Sequence, residues 1–283
     1  PNAAPAGRGG GRAGRGGQGG RGGRANGPQA KVEITDLAGN VVRNMDTPIT
    51  GGLNQLSWRM DENPPEGTVD PAVPAGVPAQ FARFFRNSGA PALPGVYNVK
   101  ITIGEATATT QVEIQMDPRI EVSKDVLIAR RDMLRTVTKM SAEVSVMSTK
   151  LTADIATVDK VIAALQGKRG RDVNELKTKS TETKEALQDL MKNIGQGGRF
   201  GRGGNPNDPT PLSTRVSSLS RSISGSYDMP GRTQDMLMEQ ASAQKVEVTK
   251  EYDAFYAASW DAYLESVKGV DFSPIGETGP RGN

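Results

Sequence analysis

The chain has 283 residues, 35% of them hydrophobic and 5% aromatic, with a net charge of +3. That length fits about two domains, and so little apolar and aromatic material argues for thin, elongated cores rather than one large globule. Cys and His are both absent, which excludes thiol nucleophiles, disulfides, Cys/His zinc sites and every His-based catalytic triad.

The charge is unevenly spread. Arg8, Arg12, Arg15, Arg21 and Arg24 stand among glycines in a stretch without acids, so residues 1–27 carry +5 and the remainder sums to −2. Residues 1–28 hold nothing that buries apolar surface and are expected to be a flexible Gly/Arg-rich segment, or a loop inserted between strands. Read functionally, the five arginines make an RGG-type nucleic-acid arm. Such arms usually interleave Phe or Tyr, and this one has neither, which favours a solvated linker. The opening Pro1-Asn2-Ala3 reads as an interior point of a longer chain, without a signal peptide.

Residues 29–118 read as β-structure. Val32 and Ile34 alternate along Lys31–Asp36, Asp36-Leu37-Ala38-Gly39-Asn40 turns, and Val41–Met45 returns. After a turn at Thr50–Asn54, Leu56, Trp58 and Met60 share a face. Pro94-Gly95 opens a hairpin with Tyr97, Val99, Ile101 and Ile103 on one strand and Val112, Ile114 and Met116 on the next. Five short strands at this spacing predict a β-sandwich. A Pro-rich insertion, 61–94, interrupts them. It carries Phe81, Arg83, Phe84, Phe85 and Arg86, an apolar and cationic cluster that must dock on its own sheet, on helices or on another subunit.

Residues 119–268 read as a helical bundle with a Gly-rich break at 195–211; 269–283 is a tail. Ser123–Gln166 has apolar residues at Leu127, Leu134, Val137, Met140, Val144, Met147, Leu151, Ile155, Val158, Ile162 and Leu165, in steps of three and four. They form one stripe on a single long helix, which requires partner helices. Ser123 and Asp125 suit its start and Gly167 its end. Asp172–Ile194 is expected to fold back antiparallel, with Leu176, Thr183, Leu187, Leu190 and Ile194 inward. Leu212, Val216, Leu219 and Ile223 mark a short helix. Thr233–Lys268 is the last, with Met236, Leu237, Val248, Tyr252, Phe255, Tyr256, Trp260, Tyr263, Leu264 and Val267 as its packing residues. The predicted fold class is therefore α+β multidomain: a sandwich followed by an antiparallel bundle.

Chemistry-bearing patterns are weak. Ser242-Ala243-Gln244-Lys245 matches an S-x-x-K spacing but lies mid-helix with no companion motif. Asn205–Asp208 lacks the bidentate Glu of a calcium loop. Glu182, Glu185 and Asp189 alternate with lysines as a solvated face does. No run is long and apolar enough for a membrane span. Catalytic residues, metal ligands and cofactor sites are not expected.

Three runs in order carry a resemblance: Val32-Glu33-Ile34-Thr35-Asp36-Leu37-Ala38-Gly39-Asn40-Val41-Val42-Arg43, then Gly52-Leu53-Asn54-Gln55-Leu56-Ser57-Trp58, then Pro94-Gly95-Val96-Tyr97-Asn98-Val99. Together they resemble an Ig-like module of the flagellar hook-capping type. Followed by Met116-Asp117-Pro118-Arg119 and a long helix, they are similar to the C-terminal region of secreted bacterial BNR-repeat proteins, the sortilin-like, sialidase-like β-propellers. Arg59 stands where that pattern usually has Asp, and the Ser-x-Asp-x-Gly-x-x-Trp propeller boxes are missing. The resemblance implies a non-catalytic spacer and docking region, extracellular, on the cell surface or periplasmic. Its partners would be the parent's propeller or identical subunits, and any glycosyl-hydrolase-like activity would reside in that propeller. The alternatives are an RGG-armed nucleic-acid-binding protein and an accessory module that binds cell-surface glycans through exposed aromatics.

Overall fold

The structure is a computed structural model; it describes residues 28–66, 68, 87–195 and 210–269. The Gly/Arg-rich segment, the Phe81–Arg86 cluster, Asn205–Asp208 and the tail from Val270 lie outside the described residues.

The β part is one four-stranded antiparallel sheet. Its strands are β1 (Gln29–Asp36), β2 (Val41–Pro48), β3 (Gly95–Ile103) and β4 (Ala106–Ile114), in the order β2-β1-β3-β4. The β1–β2 turn is held by Asp36, whose carboxylate accepts from the backbone N–H groups of Ala38 and Asn40 and from the Asn40 amide. Those bonds favour the charged form and hold the Asp36 carboxyl below its ordinary value. Gly39 supplies the positive φ of +86° that this tight turn requires.

Register follows the alternation. Val32 stands opposite Met45 and Ile101, and Ile34 opposite Arg43 and Val99. Directly opposed residues share a face, so Val32, Ile34, Tyr97, Val99 and Ile101 line one side. Glu33, Asn98, Lys100 and Gln111 line the other.

The predicted fifth strand is not a strand. Leu56 and Trp58 pack against the apolar face, where the Trp58 ring meets Tyr97 edge-on at 5.3 Å, but their backbone joins no ladder. Met60 does not share their side: its φ is +57° and its side chain is exposed. The run crosses the face as a strap and turns out at Met60.

Three of the four predicted helices hold closely. Helix α1 (Lys124–Ala164) runs 41 residues, about 60 Å at the α-helical rise. Ser123 caps it, its Oγ accepting from the Val126 N–H at 3.4 Å, and Asp125 sits in the first turn against the positive end of the dipole. Leu134, Val137, Met140, Val144, Met147, Leu151, Val158 and Leu165 are all buried. Helix α2 (Arg171–Ile194) folds back on it, burying Leu176, Ser180, Thr183, Leu187, Leu190, Met191 and Ile194. Helix α3 (Leu212–Ser224) buries Leu212, Val216, Leu219 and Ile223.

The last helix departs from a single uniform run. Helix α4 (Arg232–Phe255) widens into a π turn at Tyr256–Trp260 and continues as α5 (Asp261–Lys268). The widened turn lies where Phe255, Tyr256, Trp260 and Tyr263 pile against one another, with ring centroids 5.4 to 6.5 Å apart. Met236, expected inward, is exposed, because the line of α4 that meets the core runs through the partly buried Leu237 and the buried Ala241 and Val248.

Candidate docking site at the sheet–bundle junction

The junction begins with Trp58-Arg59-Met60-Asp61-Glu62-Asn63. Where the chain leaves the strap, residues 60–62 run antiparallel to 89–92. Glu62 N–H donates to Ala90 O (2.8 Å), Gly89 N–H to Glu62 O (3.1 Å) and Ala92 N–H to Met60 O (2.8 Å). The two limbs are so close that a Cβ on Gly89 would lie 2.3 Å from Asn63 O. Only glycine fits there.

Charge fixes the same short ladder from below. Asp61 is buried beside Arg43, 3.7 Å away, and Arg59 reaches it at 3.4 Å. Thus Arg59, which departs from the motif, neutralises a buried acid two residues on. Arg43 Nη1 also donates to Glu62 O at 2.7 Å, and Trp58 Nε1 to Asp61 O at 2.9 Å. An unpaired buried carboxylate would be costly, and this one has two cations.

With its backbone held, Glu62 projects to α1. Arg135 Nε and Nη2 donate to its two carboxylate oxygens at 2.7 and 2.6 Å, a bidentate pair. The bond to Glu62 raises the Arg135 guanidinium pKa. Beside it Ala90, on the neighbouring limb, is buried in the bundle's apolar core. One salt link and one small apolar peg therefore fasten the sheet to the flank of the long helix.

Between these contacts lies a groove of about 440 Å³. Its floor is the Arg135–Val146 face of α1, with Lys139, Ala142 and Glu143; its wall is Glu62, Pro65, Glu66, Gly89 and Ala90. The volume falls within the range of small-molecule sites. Two of its carboxylates are already engaged: Glu62 with Arg135, and Glu143 with Lys245. Val146 presents an exposed apolar edge.

A second polar cluster lies further along α1. Tyr256 donates to Asp154 Oδ2 at 2.5 Å, and Lys150 Nζ is 2.9 Å from the same oxygen and 4.0 Å above the Tyr256 ring. Burial, then the hydrogen bond to Asp154, pushes the Tyr256 hydroxyl far above its ordinary pKa. In the sequence Lys150 and Asp154 are only a helical i,i+4 pair; the usable signal was the aromatic run Tyr252, Tyr256 and Trp260 opposite.

The remaining sequence candidates resolve simply. Ser242 and Lys245 lie one turn apart on α4, and Lys245 is tied to Glu143. Glu182, Glu185 and Asp189 are exposed on α2. Phe81, Arg83, Phe84, Phe85 and Arg86, and Arg8, Arg12, Arg15, Arg21 and Arg24, lie outside the described residues. Among the described residues of 29–118 the aromatic rings are Trp58 and Tyr97. Tyr97 is buried with its hydroxyl on Leu93 O, and Trp58 is half-buried. No cluster of three potential metal ligands occurs among the described residues, and none of their helices is long and apolar enough to cross a membrane. No family model, no curated protein and no solved structure matches this chain.

Proposed function

We propose that this chain is a non-catalytic spacer and docking region, of the kind that its likeness to secreted or surface BNR-type β-propeller proteins implies. The observation that carries the reading is the junction itself. A sheet is pinned through Glu62–Arg135 and Ala90 to the side of a 41-residue helix. This arrangement holds one module at a fixed place along a long rod. The groove there combines fixed charges with an apolar rim at Val146, which suits contact with another protein surface. Its paired carboxylates Glu62 and Glu143 are poorly placed for acid–base work.

The Ig-like reading of the sheet belongs to the same proposal. Ile103 and Val112 on the apolar face are 43% and 38% exposed, where the second layer of a sandwich would cover them.

The partner is a β-propeller encoded in the same reading frame. Calorimetric titration of this chain with that propeller, separately expressed, is expected to show saturable binding. Val146→Glu, which puts a charge on the groove rim, should weaken it about tenfold, as loss of an interface anchor does. A frame without a propeller, or a titration without heat and without a sedimenting complex, overturns the reading.

A further inference from the structure

The two edges of the sheet are treated differently. On the β2 side the first half of the outer backbone is occupied, since Asn63 N–H donates to Val42 O at 2.7 Å and Asn44 N–H donates to Asn63 Oδ1 at 2.8 Å, and the strand ends at Pro48. On the β4 side nothing comparable occurs. Residues Ala106–Glu113 are exposed throughout, and among the described residues no backbone hydrogen bond leaves β4 except toward β3. The strand reads Ala-Thr-Ala-Thr-Thr-Gln-Val-Glu-Ile, with no Pro, no Lys and no Arg. Edge strands are ordinarily blunted by such residues, by bulges or by cover. A nine-residue open edge rich in Thr is a template for strand addition.

The side chains of β4 then select the partner. Opposite β3, Val112 faces Tyr97, Thr110 faces Val99 and Ala108 faces Ile101, so these three lie on the apolar side. Thr107, Thr109, Gln111 and Glu113 lie on the polar side, where Gln111 Nε2 donates to Asn98 Oδ1 at 2.9 Å. Two copies of β4 laid antiparallel about Thr110 put Ala108 against Val112 and Ala106 against Ile114, small against large. Thr109 meets Gln111 and Thr107 meets Glu113. Both faces keep their character, as register demands.

Neighbouring registers are worse. Centring on Thr109 or on Gln111 pairs only seven of the nine strand residues, and brings Glu105, in the turn before β4, toward Glu113 or toward Asp117 beyond its end, like charge toward like charge. A shift by a single residue puts apolar side chains opposite polar ones. The strand is therefore complementary to itself in one register.

We infer that β4 is a self-association edge, at which a second copy of this chain adds antiparallel about a two-fold axis through Thr110. The contact is isologous and closes as a dimer. Two four-stranded sheets become one of eight strands, with a single continuous apolar side. The inference is independent of the propeller reading and concerns a different surface from the groove.

The absence of native cysteine gives a clean test. Directly opposed residues of antiparallel strands have Cα atoms about 4.5–5.5 Å apart, within disulfide range. Thr110→Cys in the full chain is expected to cross-link to a dimer under mild oxidation. Thr107→Cys places its two sulfurs roughly 20 Å apart in the same register and should not. Sedimentation should show a concentration-dependent dimer, weakened about tenfold by Thr110→Lys or Thr110→Glu alone, as opposed like charges require. Mixing these two variants should restore it. Far-UV circular dichroism checks that each is folded; Thr110→Cys, the milder change, carries the test if either charged variant is not. A monomer at every concentration, equal cross-linking at 107 and 110, or a dimer indifferent to charge at 110 overturns the inference.

Discussion

Gly89→Ala tests the junction most directly. The added methyl would sit 2.3 Å from Asn63 O and 2.5 Å from Glu62 O, both backbone atoms that cannot rotate away. It lies about 1 Å inside contact distance, so the two limbs must part. Overpacking of this kind costs about 1–3 kcal/mol. Parting the limbs also weakens Glu62 N–H to Ala90 O and Gly89 N–H to Glu62 O, each worth about 1 kcal/mol net. The expected loss is therefore about 2–4 kcal/mol, confined to the sheet and its tie to α1.

The assay is provided by the two tryptophans. Trp58 reports the sheet and Trp260 the bundle. In a Trp260→Phe background, Trp58 fluorescence during urea unfolding should move to lower midpoint, while helical circular dichroism moves little. Amide exchange of Glu62 and Ala92 should quicken. An unchanged Trp58 midpoint with both amides still protected would refute the reasoning that the limbs depend on a missing side chain.

Three further outcomes are expected. Leu151→Ala, at a fully buried position on α1, should lower bundle stability by about 2–5 kcal/mol in denaturant titrations followed at 222 nm. Arg130→Met should cost about 1.5–3 kcal/mol, because Arg130 Nε and Nη2 donate to Ile223 O and Nη2 to Ser224 O at the end of α3; exchange should quicken first in residues 219–224. Tyr97, Tyr252, Tyr256 and Tyr263 all hold their protons above the ordinary tyrosine pKa, chiefly through burial. Because the folded values are raised, their stabilisation is complete below the unfolded pKa of about 10 and is lost as pH rises beyond it. Thermal melts should drop from about pH 10 upward, and tyrosinate absorbance should rise later in the folded than in the urea-unfolded chain.

Much of the bundle was legible because its period is long and uninterrupted. The stripe Leu134–Leu165, the cap at Ser123 and the four-residue seam of α3 need no tertiary knowledge. The sheet was half legible. Alternation gave Lys31–Asp36 and Tyr97–Ile103, but Leu56 and Trp58 alternate equally well while packing as a strap, since period two records which side is apolar and not whether the backbone is paired. The junction was hidden for a different reason. Glu62 and Arg135 are far apart in sequence, and neither belongs to a motif. Ala90 carries no signal beyond its smallness, and the closeness that excludes a Cβ at Gly89 exists only after the limbs meet. The π turn likewise left only an aromatic cluster as its trace.

Arg130 is buried, packs over the Tyr227 ring and lies against the last carbonyls of α3. Among the described residues no carboxylate takes part in that link, so added salt has no ion pair to screen there. The fastening of α1 to α3 should thus outlast the Glu62–Arg135 fastening as ionic strength rises, so that the sheet swings loose from a rod that is still intact.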